Sequence, residues 1–224
     1  SSWPIEGLTS SPDGMAFRLR GVSVSIPLWG AMNALNAAMA AAAAGHFGVS
    51  PSASAAALAS FRGVRNRQEV AAVGRCLLVG DKATHPAAIA ALVEALRARF
   101  PGRRILAAIK PRATGGRLWV YQRELPAALA SADAVFLLEA YEHNPRPGQA
   151  WPGGSFSTAQ LADDLAAMRR PVSRCADLAQ LEEAIRAGAR DGDVIFVSSP
   201  EQADRAVRGA IEAGLGRAGR GEGR

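Results

Sequence analysis

The sequence predicts an α/β protein: a Rossmann-like domain over residues 65–216, preceded by a hairpin and two helices in residues 1–64. Three observations predict it. From Cys76 onward, short apolar runs alternate with amphipathic stretches of helical period, the arrangement of a mostly parallel sheet covered on both faces. Ahead of them, Met15–Leu19 and Val22–Ile26 alternate apolar and polar residues with period two, as a half-buried hairpin does. Between these regions lies a polar stretch, 63–70, which carries Arg65 and Arg67 and reads as an interdomain linker. A chain of 224 residues can bury a sizeable core in one domain or two.

Taken in order, residues 1–28 read as extended structure. Arg20-Gly21 turns the first of the two strands into the second, and Asp13-Gly14 is a further hairpin signal. A ribbon this short needs other structure to pack on. Gly30 to His46 is an alanine-dominated helix, broken at Gly45 and Gly48. Ser50-Pro51 opens a second helix, with Ser50 as N-cap and Pro51 in the first helical position; it runs to Phe61 and ends at Gly63. Beyond the linker, strands are predicted at Cys76–Val79, Ile105–Ile109, Ala134–Leu138 and Val194–Val197. Helices are predicted at Pro86–Phe100, Gln122–Ser131, Ser157–Met168, Leu178–Ala187 and Pro200–Leu215. Residues 141–156, rich in proline and glycine, read as a long surface loop near the carboxyl ends of the strands. The tail 217–224, arginines among glycines, reads as disordered.

Composition narrows the function classes. The longest apolar run, Ala37 to Gly45, is too short to span a bilayer, and Ser-Ser-Trp-Pro-Ile-Glu at the amino terminus has no basic patch or hydrophobic segment of a secretion signal. Cys76 and Cys175 are far apart with no metal-ligand spacing, so they are expected as buried free thiols in a reducing compartment, with cytoplasm the default. The net charge is +6, but of 26 basic residues only Lys82 and Lys110 are lysines. Without the tail the charge falls to about +4. No basic helix, aromatic stacking series or zinc pattern accompanies the arginines, which argues against a nucleic-acid partner.

Several polar residues sit where chemistry is expected. Asn33 and Asn36, three apart on a helix, share a face; their amides offer donors and acceptors suited to an adenine edge, or else simply serve the helix start. Arg65 and Arg67 are either a solvated loop or guanidinium groups that close over phosphate. Asp81-Lys82-Ala83-Thr84-His85-Pro86 follows a strand and precedes a helix, the place where α/β sheets collect ligands and helix N-termini favour anions. One of the two lysines falls there; the other, in Lys110-Pro111-Arg112, follows the next predicted strand. The alternative reading of each is a polar turn, weaker for the first because a lysine falls in it. His46 is most simply a helix C-terminal cap. His143, with Glu139 and Glu142 nearby, is a weak metal candidate, and Ser198-Ser199-Pro200 leaves a helix N-terminus able to bind an anion.

Three segments in order, Gly30–Ala37, Phe61–Glu69 and Gly80–Pro86, together resemble the junction between the central and C-terminal domains of the muramyl (Mur) ligases. Gly30, Asn33, Asn36 and Ala37 match the family's Gly-x-His-Asn-x-x-Asn-Ala pattern, with Met32 in place of histidine. Arg67 and Glu69 match its Arg-x-[Glu/Gln] linker, and Asp81 to Pro86 is similar to its strand-end motifs, with Gly80 where they begin with aspartate. Arg104–Arg112 and Ala132–Leu138 look most like the murein peptide ligase branch. The resemblance implies a Rossmann-like C-terminal domain behind a remnant of the central ATPase domain. It implies the closing part of an ATP-dependent, ADP-forming amide ligase of peptidoglycan precursor synthesis or recycling. The nucleotide would then be met by Asn33, Asn36, Arg67, Asp81 and His85, and the carboxylates of an amino acid or peptide by Lys82, Thr84, Lys110 and Arg112.

No residue of this chain would be catalytic or bind metal by that division. ATP and magnesium are expected only together with the half that carries a phosphate loop. No Gly-x-x-x-x-Gly-Lys-[Ser/Thr] motif occurs in the chain, so it is expected to be inactive alone. The implied partners are UDP-muramoyl and amino-acid or peptide substrates and a phosphate-loop-bearing partner, without nucleic acid or membrane. The alternative is a catalytically degenerate module kept for binding or assembly, to which Met32, Gly80 and the missing loop point. An unrelated Rossmann-like binder of sugar nucleotides ranks last.

Overall fold

The computed structural model describes residues 3–111, 121–139, 156–198 and 201–215. The tail 217–224, Arg112, Glu142, His143, Ser199, Pro200 and all of the expected surface loop but Phe156 lie outside the described residues. Contacts divide the chain into two units, Ser1–Arg65 with Glu94–Pro101, and Asn66–Val93 with Gly102–Arg224.

In the first unit, β1 (Ile5–Ser11), β2 (Gly14–Leu19) and β3 (Val22–Ile26) form an antiparallel sheet in that order. The β2–β3 turn is Arg20-Gly21, with φ of 49° and 79°, the doubly left-handed geometry that matches strand twist in a two-residue hairpin. Gly14 has no substitute: a Cβ there would collide with the carbonyl oxygen of Ile26. Met15, Phe17, Leu19, Val24 and Ile26 point to one face, as the period-two reading expects. Helix α1 (Ala31–His46) lays Ala34, Ala37, Ala38 and Ala41 on them, a stripe at i, i+3, i+4 and i+7 whose small side chains let helix and sheet approach closely. The expected break at Gly45 is corrected. The helix runs through it, because the missing side chain is the space that the Trp3 indole fills; the turn comes at Gly48, φ 87°. Helix α2 (Pro51–Ser60) starts as anticipated, with Ser50 Oγ accepting from the Ala53 N–H at 3.2 Å.

The second unit holds a six-stranded sheet of order β4-β5-β9-β6-β7-β8. Its strands are β4 (Glu69–Val73), β5 (Cys76–Asp81), β6 (Ile105–Ile109), β7 (Ala134–Leu138), β8 (Val172–Cys175) and β9 (Val194–Ser198). All neighbours are parallel except the β4–β5 hairpin. Every residue of β6 and β9 is buried, as central parallel strands require. The helices that follow β5 are α3 (Pro86–Arg99), of which only the part up to Val93 falls in this unit, α4 (Leu125–Leu129), α5 (Thr158–Ala167), α6 (Leu178–Gly188) and α7 (Glu201–Leu215). Ser157 and Asp177 cap α5 and α6 by accepting from the N–H groups of Gln160 and Gln180.

Three expectations need correction. The linker 63–70 runs into β4, whose small, mostly exposed residues carry no strand-like alternation. The edge strand β8 has only four residues, two of them polar. Helix α4 is shorter than predicted because Gln122 is engaged elsewhere: its side chain donates to the Ser157 carbonyl and accepts from the Ser157 N–H at 2.8 Å. Both cysteines are buried free thiols, as expected, and burial pushes both up from the usual thiol range. Among the described residues no helix is long and apolar enough to cross a membrane.

Candidate functional site

The strand register of the second unit fixes the site. Asp81 at the end of β5 and Ile109 at the end of β6 both pair with Ser198, the last residue of β9. Three parallel strands therefore stop flush. The residues that step off the outer two are Lys82 and Lys110, the chain's only lysines. With strands about 4.8 Å apart, their backbones stand about 10 Å from each other across β9. The Lys110 N–H donates to the Ser198 carbonyl at 3.4 Å, which seats it on the central strand. Lys82, Thr84 and His85 are exposed and Lys110 is half-buried.

Asp81 holds this edge in shape. Its residue is only 8% exposed, and both oxygens of its carboxylate are engaged. Oδ1 accepts from the Ala83 N–H at 2.7 Å and from Arg67 Nη1 at 3.4 Å; Oδ2 accepts from the Gln68 N–H at 3.0 Å. The Lys82 N–H donates to the Asn66 carbonyl at 3.1 Å, lacing the same segment from the other side. Asn66 and Gln68 both have left-handed backbones, φ 59° and 50°, a conformation that costs a side-chain-bearing residue energy and persists only where surroundings impose it. The clamp presents Arg67 beside the strand end with its side chain 56% exposed.

His85 caps α3: its Nδ1 accepts from the Ala87 N–H at 3.2 Å, which puts the ring proton on Nε2. Its ring meets Tyr121 edge-on, centroids 4.9 Å apart. The Ser198 hydroxyl donates to the Ala83 carbonyl, so it serves the loop rather than an anion. The structure thus gathers Arg67, Asp81, Lys82, Thr84, His85 and Lys110 along one edge. Asn33 and Asn36 belong to α1 of the first unit. Asn33 is half-buried, and its Nδ2 donates to the Trp29 carbonyl at 2.8 Å, a helix-start role; Asn36 is exposed.

Two neighbours were not legible as site residues. Tyr121 reaches the edge only through tertiary packing. Asp204 of α7 lies against Gly80, with Oδ1 3.7 Å from where a Cβ would be; nothing in its amphipathic helix pattern singles it out. Among the described residues no group of three or more His, Cys, Asp or Glu could hold a metal ion. The perturbed carboxyl lies elsewhere: burial raises Asp193 above the usual carboxylate range, against the pull of the Arg190 N–H and Arg104.

A family profile described as "Mur ligase, glutamate ligase domain" matches residues 66–200. The chain belongs to the Mur ligases. Among relatives of this Mur-ligase chain, the UDP-N-acetylmuramate–L-alanine ligase of Verminephrobacter eiseniae is 34% identical over 80% of the chain and 38% of its own length. The UDP-N-acetylmuramate–L-alanyl-gamma-D-glutamyl-meso-2,6-diaminoheptandioate ligase of Escherichia coli is 33% identical over 88% of the chain and 41% of its own. The fold agrees with the crystal structure of the UDP-N-acetylmuramate-alanine ligase of Thermotoga maritima, TM-score 0.74 at 20% identity, over 93% of this chain and 45% of that one. It also agrees with a murein peptide ligase of Psychrobacter arcticus, TM-score 0.68 at 23% identity, over 95% and 44%. This chain spans about two fifths of the length of the curated relatives it matches.

Proposed function

We propose that this chain is the closing, substrate-presenting part of an ATP-dependent, ADP-forming amide ligase acting on muramoyl peptides in the cytoplasm. The observation that carries the reading is the flush end of β5, β9 and β6, which sets Lys82 and Lys110 on either side of the central strand with Arg67 alongside. Ammonium groups so spaced suit the separate carboxylates of an amino acid or acidic peptide, and an exposed guanidinium suits a phosphate. Thr84 adds a hydroxyl to the carboxylate site, and Arg112, outside the described residues, is retained as a further cation for it. Asn36 and His85 stand as the contacts to the nucleotide. Asp81 and Asn33, committed within the protein, each hold their own segment in shape. The ATP phosphates find no glycine-rich cradle in this sequence, so a phosphate-loop-bearing part must supply it and the chemistry of phosphorylation.

The reading is tested by calorimetry of the chain with a diaminopimelate-containing tripeptide and with ATP. Peptide binding that Lys82→Ala weakens and Arg220→Ala does not is the expected result; equal effects would reduce Lys82 to a turn residue. Steady ATP hydrolysis by the chain alone would refute the division of labour. A second reading, a degenerate binding or assembly module, draws on Gly80 and the occupied Asp81, which leave the end of β5 without a spare carboxylate. It expects peptide binding without turnover even when the missing part is restored.

A further inference from the structure

The strands at the margins of the two sheets are not defended alike. An edge strand presents unpaired backbone groups, and proteins guard such edges with proline, charged side chains, short length or a bulge. β1 breaks register between Glu6 and Thr9, where Gly7 has φ 59°. β8 has only four residues, follows Pro171 and carries Arg174. β4 lacks these devices: it pairs with β5 in unbroken register, and after Glu69 its residues Val70-Ala71-Ala72-Val73 hold no charge and no proline. The direction of its free groups follows from the turn. Gly74-Arg75 is a two-residue turn, so Val73 and Cys76 close it as a hydrogen-bonded pair, and bonded and non-bonded pairs alternate from there. Ala72–Leu77 and Val70–Val79 are therefore the non-bonded pairs. Leu77 agrees, since its N–H donates to the Asp193 carbonyl at 2.9 Å, away from β4. Val70 and Ala72 thus turn both N–H and C=O outward, and both residues are exposed.

We propose that β4 is an interface between two copies of this chain, which pair antiparallel about Ala71 and join their six-stranded sheets edge to edge. The second copy is argued from the symmetry of the strand itself. With Ala71 on the two-fold axis, Val70 of one copy faces Ala72 of the other, and each such pair exchanges two backbone hydrogen bonds. Ala71 meets itself in a non-bonded position, where Cα atoms stand about 4.5 Å apart and a small side chain fits. Glu69 faces Val73 of the second copy and reaches diagonally, over about 7 to 8 Å, to its Arg75. The Arg75 side chain is 77% exposed even while it pairs with Asp191, and the symmetry makes this opposite-charge contact twice. Within residues 69–73 no like charges stand opposite one another. Because the two strands run antiparallel, the carboxyl-end edges of the two sheets point in opposite directions and stay open. The contact uses no nucleotide or peptide, so it stands or falls independently of the function proposed above.

One strand pair is a small contact, so a weak dimer is expected, with a dissociation constant of about 10 to 100 μM. Sedimentation equilibrium of the chain should show monomer giving way to dimer between about 5 μM and about 1 mM. Residue-resolved hydrogen exchange by NMR reads the register. In dilute protein the Val70 and Ala72 amides should exchange fast and those of Ala71 and Val73, bonded to β5, slowly. At the highest concentration Val70 and Ala72 should slow by about fivefold or more while Ala71 and Val73 keep their rates. Ala72→Lys adds the guard that natural edges carry; it should preserve the melting of the dilute chain and remove both the dimer and the protection. Val70→Pro deletes one outward N–H and leaves the ladder to β5 intact, and should do the same. A chain that stays monomeric to about 1 mM would overturn the proposal. So would a dimer whose Val70 and Ala72 amides exchange as fast as in dilute protein, or one that survives Ala72→Lys. The exchange pattern of the unmodified chain decides the matter even where a variant fails to fold.

Discussion

The two ends of the six-stranded sheet are both lined with charged residues, and they use them in opposite ways. At the amino ends, charges are spent on one another and on the backbone. Asp193, 2% exposed, accepts from the Arg190 N–H at 2.8 Å and from Arg104 at 3.3 Å. Asp133 accepts from the Ile105 N–H at 2.7 Å, Arg103 donates to the Gly192 carbonyl, and Arg75 pairs with Asp191. At the carboxyl ends, among the described residues, Asp81 is spent in the same manner and Glu139 pairs with Arg174, but Lys82 and Arg67 reach solvent. One end is closed by its charges; the other is held open by them.

That contrast can be broken by mutation. The largest effect is expected for Asp193→Ala, which takes away the buried acceptor of Arg104 and of the Arg190 N–H. It should cost about 3 kcal/mol in urea unfolding and leave peptide affinity untouched. Asp81→Ala should cost about 2 kcal/mol and speed tryptic cleavage after Arg67, since the clamp on Asn66–Gln68 is lost; unchanged cleavage would mean the segment holds itself. Lys82→Ala reverses the pattern, with stability within about 0.5 kcal/mol of wild type and peptide affinity down about tenfold. A Lys82 variant that melts early would dissolve the distinction between the two ends.

The smallest effect is one of pH. Asp193 has its native-state value raised by burial above the ordinary 3.8, so the folded protein holds that proton more tightly than the unfolded chain. Its contribution to stability is fully present below the ordinary carboxylate value and is lost as pH rises through the raised one. Stability measured against Asp193→Asn should therefore show wild type losing ground as pH climbs through that window. A difference that widens in the other direction would mean Arg104 outweighs desolvation.

Most of the fold was legible because its signals are local. Ile105–Ile109 and Ala134–Leu138 are uninterrupted apolar runs, and both were placed to the residue; Ser50-Pro51 announces a helix start by chemistry alone. The failures occur where tertiary context decides. Gly45 looks like a helix breaker until Trp3 occupies its missing side chain. Glu69–Val73 looks like linker because its strand identity comes from pairing with β5, not from its own pattern. At the site, strand–loop–helix placement made Lys82 and Lys110 readable. What could not be read was commitment: a carboxylate such as Asp81 looks equally available in sequence whether it meets a ligand or three donors of its own chain.

The position of β9 carries a consequence for how the protein is made. It is the last strand in sequence and a central one in space, inserted between β5 and β6. During synthesis β6, β7 and β8 can pair as they leave the ribosome, but β5 and β6 each keep one bare, apolar edge until Val194–Ser198 has emerged. A nascent or prematurely terminated polypeptide ending before that point offers two open templates for aggregation. Chaperone dependence should accordingly be concentrated in the final stage of translation.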